Sequence, residues 1–252
     1  MAESRDLKDQ RELSGKTFII TGGAKRLGRA IAIAAAKNGA DVAITYRNSQ
    51  REAQRLVEEL SDVGARAFAL RADVTDERSV REMIKEVAGE LGKIDVLVNN
   101  AANYETVDFA NITVAQWDAI FASNTRGPFL VSREALHHLK KQRGRIINMG
   151  SLGGLRPWPT HAHYCSSKAA LHMLTEVMAK ALAPAIAVNT VAPGMIELGE
   201  KSAAAFMQKM SKQTPMRRNG SAADVVSAVL FFATAPHFIT GQLLAVDGGL
   251  GL

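Results

Sequence analysis

Short apolar runs rich in β-branched residues alternate with longer segments of helical period along nearly the whole chain. No other feature restricts the fold as much. Residues 16–21, 41–46, 65–71, 94–99, 145–149, 185–191 and 243–246 read as strands. Helical patterns fill 28–37, 50–62, 76–91, the segment from Tyr164 to Ala183, 201–211 and 222–233. Residues 113–140 read as one long helical stretch, which Gly127-Pro128 is expected to kink. Strands that are continuously apolar, rather than alternating, are buried on both faces. The expected fold class is therefore α/β, a single doubly wound parallel sheet of about seven strands with helices on both faces. Its ligand site is expected at the carboxyl ends of the strands.

A hydrophobic fraction of 47% over 252 residues is enough for one large core. Residues 1–14 are mostly polar and charged, and are expected to form a flexible tail ahead of a single domain over 15–252. That tail holds no apolar stretch of signal-peptide length, and no run of about 18 apolar residues occurs to span a membrane. The one cysteine, Cys165, allows no internal disulfide, which fits a reducing compartment; a soluble, cytoplasmic protein is expected. The net charge of +6 raises nucleic-acid binding as a possibility. The basic residues are dispersed, however, and the densest cluster, residues 140–145, spans a helix-to-strand turn with few aromatics near it. A solvated surface is the better reading, with neither nucleic acid nor membrane as a partner, and such a surface also attracts an anionic cofactor.

Tyr164 and Lys168 stand four residues apart, with Ser151 thirteen residues upstream of the tyrosine. Positions i and i+4 share one helix face, so the phenol and the ammonium can meet. A free tyrosine, with a pKa of roughly 10, is a poor acid-base group at neutral pH. A lysine beside it favours the phenolate. A serine hydroxyl brought in from a loop can hydrogen-bond a substrate oxygen as that oxygen gains or loses its proton. Together these groups can pass a proton to or from an oxygen on carbon.

Thr21-Gly22-Gly23-Ala24-Lys25-Arg26-Leu27-Gly28 joins the first strand to the first helix. Glycine there permits a tight turn and lets a pyrophosphate approach the backbone, at a helix amino-terminus carrying partial positive charge. After the second strand the chain reads Tyr46-Arg47-Asn48-Ser49, with no carboxylate until Glu52. An NAD site usually places an acidic residue there, whereas an arginine accommodates the phosphate of NADP. Arg47 can fork onto that phosphate, and Lys25 and Arg26 can reach the same region from the turn.

These motifs, with Asp73-Val74, Asn99-Asn100-Ala101-Ala102, Asn124, Pro193-Gly194 and Asp247-Gly248-Gly249 in order, resemble the short-chain dehydrogenase/reductase family from about Gly15 onward. The resemblance implies a Rossmann-like, dinucleotide-binding catalytic domain that uses NADP(H) on a small-molecule substrate. It implies that Tyr164 is the proton donor or acceptor and that Ser151 orients the substrate oxygen. Lys168 would lower the tyrosine pKa and hold the nicotinamide ribose, and Asn124 would support a proton relay through water. The cofactor would lie along Gly22, Lys25, Arg26 and Leu27, along Arg47, Asn48 and Ser49, against Asp73 and Val74 at its adenine, along Asn99 and Ala101, and beside Pro193 and Gly194 at its nicotinamide. A homo-oligomer, most often a tetramer, is implied as well.

Three departures from the family pattern stand out. The middle glycine of Thr-Gly-x-x-x-Gly-x-Gly is Arg26, Asn-Asn-Ala-Gly ends in Ala102, and Leu198 stands where many members place a threonine. Arg26 and the later Tyr-Arg-x-Ser are similar to the pteridine reductase branch, in which Tyr104 falls where an aromatic stacks on the pterin. Ser151 is the serine of ordinary carbonyl reductases, where that branch usually carries an aspartate. Carbonyl reduction is the expected activity, pterin reduction the alternative, and a catalytically silent dinucleotide sensor the alternative of another class. Trp158, between two prolines after Ser151, is either a pocket wall or surface packing. His161 and His163 lack partners at metal spacing, so no metal is expected. Cys165 reads as inert packing, and Trp117 and Phe121 as core or interface.

Overall fold

The computed structural model describes residues 12–199 and 204–252. Most of the expected tail, residues 1–11, and the start of the helix expected over 201–211 lie outside the described residues. Leu13 does not behave as tail: it is only 2% exposed, and its N–H donates to the Asn38 carbonyl at 3.0 Å. The packed chain therefore begins before Gly15, because Leu13 has an apolar site to fill among the residues of the first core.

The elements run β1 (Thr17–Ile20), α1 (Arg26–Lys37), β2 (Asp41–Tyr46), α2 (Gln50–Asp62), β3 (Ala67–Arg71), α3 (Glu77–Leu91) and β4 (Val96–Asn99). They continue with α4 (Val114–Phe121), α5 (Gly127–Gln142), β5 (Arg145–Met149), α6 (Ala162–Leu182), β6 (Ala187–Pro193), α7 (Ala204–Gln213), α8 (Ala222–Thr234) and β7 (Leu243–Val246). The seven strands form one sheet in the order β3-β2-β1-β4-β5-β6-β7, each pair parallel. The order reverses between β1 and β4, which opens a crevice at their carboxyl ends.

Successive strand residues point to opposite faces. Phe18 and Ile20 join a core with α1, α2 and α8, while Ile19 between them joins a second core with α3, α5 and α6. Burial on both faces is why these strands read as unbroken apolar runs. Among the described residues no helix is long and apolar enough to cross a membrane.

The kink expected at Gly127-Pro128 takes a different form. Arg126 and Gly127 keep right-handed helical dihedrals, and the irregularity is a π turn over Ala122–Arg126 that joins α4 to α5. Pro128 has no N–H for the Asn124 carbonyl four residues back, and its ring crowds that carbonyl. The widened turn closes just ahead of that proline, with the Gly127 N–H donating to the Ala122 carbonyl five residues back.

Candidate active site

The loops after β1 and β4 are stitched together. The Thr21 hydroxyl oxygen accepts the N–H groups of Asn100 and Ala101, each at 3.0 Å, while the Asn100 amide donates to the carbonyls of Thr21 at 2.9 Å and Gly22 at 3.0 Å. Gly22 sits at φ +62°. A Cβ on Gly28 would lie 2.6 Å from both the Asn100 amide nitrogen and the Gly22 carbonyl oxygen. Glycine is thus required where α1 closes onto the turn, and a phosphate can come up to bare backbone at the helix amino-terminus. Arg26, where the family pattern has glycine, keeps a left-handed φ of +54°.

Gly22, Arg47, Asn48, Ser49, Asp73 and Val74 line one cleft at this crevice together with Ala101 and Asn103. The half-exposed Arg47 guanidinium stands 4.0 Å from Asp73. Burial works against ionisation of Asp73, yet the N–H and hydroxyl of Thr75, together with Arg47, hold its carboxyl below the ordinary range. Lys25 is ion-paired with Glu52 at 2.6 Å. Leu27 packs against the first core. Asn99 turns away from the cleft: its amide donates to Asn148 at 2.8 Å and Ser132 at 3.1 Å inside the protein. The Gly194 N–H donates to the Val246 carbonyl at 3.0 Å, and a Cβ there would strike Asp247, so the Pro193-Gly194 backbone is held close to the turn after β7.

Ser151, Tyr164 and Lys168 come together where β5 meets α6. The Ser151 oxygen accepts the Gly153 N–H at 3.0 Å, which leaves its own proton free to donate. Burial pushes the Tyr164 phenol up to about 12; a hydrogen bond from Ser151 draws it back in part, while Tyr104 and Cys165 add to the rise. Lys168 is buried, and its ammonium donates to the Met149 carbonyl at 2.7 Å. Its Nζ lies 5.9 Å from the Tyr164 ring centroid, and burial lowers its pKa to about 8. Burial is the largest influence on both groups, and it favours the uncharged form of each. The fully buried Asn124, within the π turn, accepts the Asn103 N–H at 2.8 Å and donates to the Asn103 carbonyl at 2.9 Å and the Ser167 hydroxyl at 3.1 Å.

Aromatic rings gather around Tyr164. Tyr104 meets it edge-on with centroids 5.0 Å apart, and Trp158 lies nearly parallel at 6.3 Å. His161 joins this group, with its Nε2 hydrogen-bonded to the Tyr104 hydroxyl at 2.6 Å. His163 is buried, with Nε2 3.6 Å from the Glu105 carboxylate. His172 also reaches the site: its Nε2 accepts the Ser151 N–H at 3.3 Å. Neither the His161 contact nor the His172 contact was anticipated from sequence. A histidine one helical turn after Lys168 was the available signal for the second.

Comparison with known proteins adds an independent line. A family model described as enoyl-(acyl carrier protein) reductase matches residues 22–251. The 3-oxoacyl-[acyl-carrier-protein] reductase of Staphylococcus epidermidis is 35% identical over 240 residues, covering 93% of this chain and 98% of that protein. A dehydrogenase/reductase structure from Sinorhizobium meliloti is 37% identical with a TM-score of 0.89, covering 96% of this chain and 98% of that one. A mutant short-chain dehydrogenase/reductase of Serratia marcescens superposes with a TM-score of 0.91 at 31% identity, covering 96% and 100%. Similarity that runs the length of both partners, on the same parallel sheet, makes this chain a member of the short-chain dehydrogenase/reductase family.

Proposed function

We propose that the protein is an NADP(H)-dependent reductase that turns a ketone, aldehyde or oxoacyl carbonyl into an alcohol. The observation that carries this reading is the convergence of Tyr164 with a buried Lys168 whose ammonium holds the Met149 carbonyl two residues before Ser151, at the strand ends that also hold the glycine turn. The staphylococcal relative's printed activity on a 3-oxoacyl group supports it. The cofactor fits the residues present: bare backbone at Gly22 before the amino-terminus of α1 for the pyrophosphate, and Arg47 after β2 for the extra phosphate. Bound there, NADPH supplies a hydride to the carbonyl carbon.

The remaining chemistry belongs to the chain. Tyr164 gives its proton to the substrate oxygen while Ser151 donates a hydrogen bond to the same atom. An ammonium has three donors. Lys168 directs one to Met149 and keeps two for the cofactor ribose and for the phenolate as it forms. The Asn124 side chain is fully engaged, so a part in a water relay falls to its backbone carbonyl, which Pro128 cannot pair. A silent sensor would have no use for a buried lysine whose desolvation is unfavourable.

Pterin reduction is the second reading, favoured by Arg26 at a left-handed position and by the Tyr104 ring against Tyr164. Ser151 weighs against it, because a serine cannot serve as a carboxylic acid beside the reacting atoms. Following NADPH oxidation with dihydrobiopterin, dihydrofolate, an acetoacetyl thioester, a diketone and an aromatic aldehyde separates the two. Turnover of a carbonyl supports the first reading, and turnover of a dihydropterin alone reverses it.

We also place the enzyme in the cytoplasm as a homotetramer. Exposed Trp117, Phe129, Met173 and Val177 on α4, α5 and α6 supply apolar surface for a symmetry mate. Only monomer by sedimentation at micromolar concentration would remove the tetramer.

A further inference from the structure

Helix α6 carries Tyr164, Lys168 and His172 at successive turns of one face. The first two belong to the chemistry described above, and the third is a buried histidine, 7% exposed. Its Nε2 accepts the Ser151 backbone N–H. The turn that bears Ser151 wraps the same ring. A Cβ on Gly150 would lie 2.4 Å from Nε2, and one on Gly154 would lie 2.5 Å from Cε1. The imidazole thus excludes a side chain at both glycines, together with Thr190 at the first and the Ala169 backbone at the second. Because Nε2 accepts, the ring proton must sit on Nδ1, and Nδ1 has no partner among the described residues. A buried donor without an acceptor is unfavourable, and a leucine of similar bulk would avoid it. The histidine thus does something that packing alone does not require.

We propose that neutral His172 is a positioning residue for Ser151: by accepting the Ser151 N–H and filling the turn over 150–154, it sets where the serine hydroxyl meets the substrate oxygen. The Gly153 N–H holds the hydroxyl oxygen from the other side, so Ser151 is fixed at its backbone and at its side chain. Only the neutral ring can do this, since an imidazolium has no lone pair for the Ser151 N–H. Burial, and then the Lys168 charge one turn away, keep the ring neutral, with a pKa of about 4. The turn over 150–154 and Thr190, which also lies against Gly150, bring no titratable group to it.

The inference rests on the carbonyl-reductase reading and deepens it. It is tested with His172→Leu, His172→Gln and the native enzyme. Leucine keeps the bulk without the acceptor, whereas the glutamine carbonyl oxygen can take the place of Nε2. His172→Leu is expected to lower kcat roughly tenfold to a hundredfold, with NADPH affinity and carbonyl KM nearly unchanged. His172→Gln is expected to recover most of that loss. NMR of isotope-labelled histidine in the native protein should show His172 protonated on Nδ1 at neutral pH. Native kcat in His172→Leu, a glutamine variant as impaired as the leucine variant, or a proton on Nε2 would each overturn the proposal. Should His172→Leu not fold, the glutamine variant decides together with the tautomer: near-native kcat with an Nδ1 proton supports the role, and a large loss overturns it. A native enzyme inert towards every carbonyl, with the Nδ1 tautomer present, would sink the reductase reading while leaving the contact intact.

Discussion

The Lys168 ammonium and the Tyr164 ring lie 5.9 Å apart, yet each has the acidity of a group governed by burial rather than by its neighbour. The phenol is held neutral at about 12, and the ammonium is loosened to about 8. Ser151 is the influence that draws the tyrosine back towards useful acidity. Helix α6 thus holds protons on both groups at neutral pH. In the proposed reaction, a developing negative charge on the substrate oxygen would make transfer from Tyr164 favourable.

Replacing Tyr164 with Phe removes one oxygen from a ring packed against Tyr104 and Trp158, and leaves those contacts in place. Turnover should fall by roughly 10²-fold to 10⁴-fold, the usual contribution of a positioned acid. NADPH titration should give a nearly unchanged Kd. Retention of native kcat would show that Tyr164 is not the proton donor.

Arg47→Asp puts a second carboxylate beside Asp73, where a guanidinium now stands 4.0 Å away. NADPH should weaken by roughly tenfold to a hundredfold, the effect of losing a charge-assisted hydrogen bond. NADH, which lacks the phosphate, should weaken much less. Equal losses in the two titrations would shift the phosphate-binding role to Lys25 or Arg26.

His172 makes stability fall in mild acid. Its pKa is about 4 in the folded chain against an ordinary 6.5, so between those values the unfolded chain holds a proton that the folded chain refuses. Stability is full above about pH 6.5 and declines as pH drops towards 4, by roughly 3 kcal/mol from this group. His172→Gln should show a shallower decline between pH 7 and 4.5 in denaturant titrations. A parallel decline in the two proteins would exclude His172 as its source.

Arg26→Gly restores glycine at φ +54°. A side chain in the left-handed region costs about 1–2 kcal/mol, partly offset by the freer unfolded chain that glycine brings. Tm is expected to stay level or rise by a few degrees, while NADPH binds less tightly. A drop of several degrees would mean that contacts of the Arg26 side chain outweigh the backbone strain.

Much of the architecture is set locally. The bounds of β2, α2, β5 and β7 follow from apolar period and turn residues, because burial on both sheet faces leaves a continuous signature along the chain. Tyr164 and Lys168 share a helix face for the same local reason. Where neighbours come from distant segments, sequence was silent or misleading. Gly127-Pro128 announced a disturbed helix, but only the packed neighbours show its use, a π turn that ties Asn124 to Asn103 and Ser167. The side-chain bonds of Asn99 to Asn148 and Ser132 cross between β4, α5 and β5, and its position in a cofactor motif gave no sign of them. Ser151 and His172 are 21 residues apart and meet only because the turn after β5 packs against α6. The tyrosine and lysine pKa values follow the same rule. Spacing placed the two groups on one face, but the amount of water left around them was decided by the tertiary fold, and desolvation is the largest influence on both.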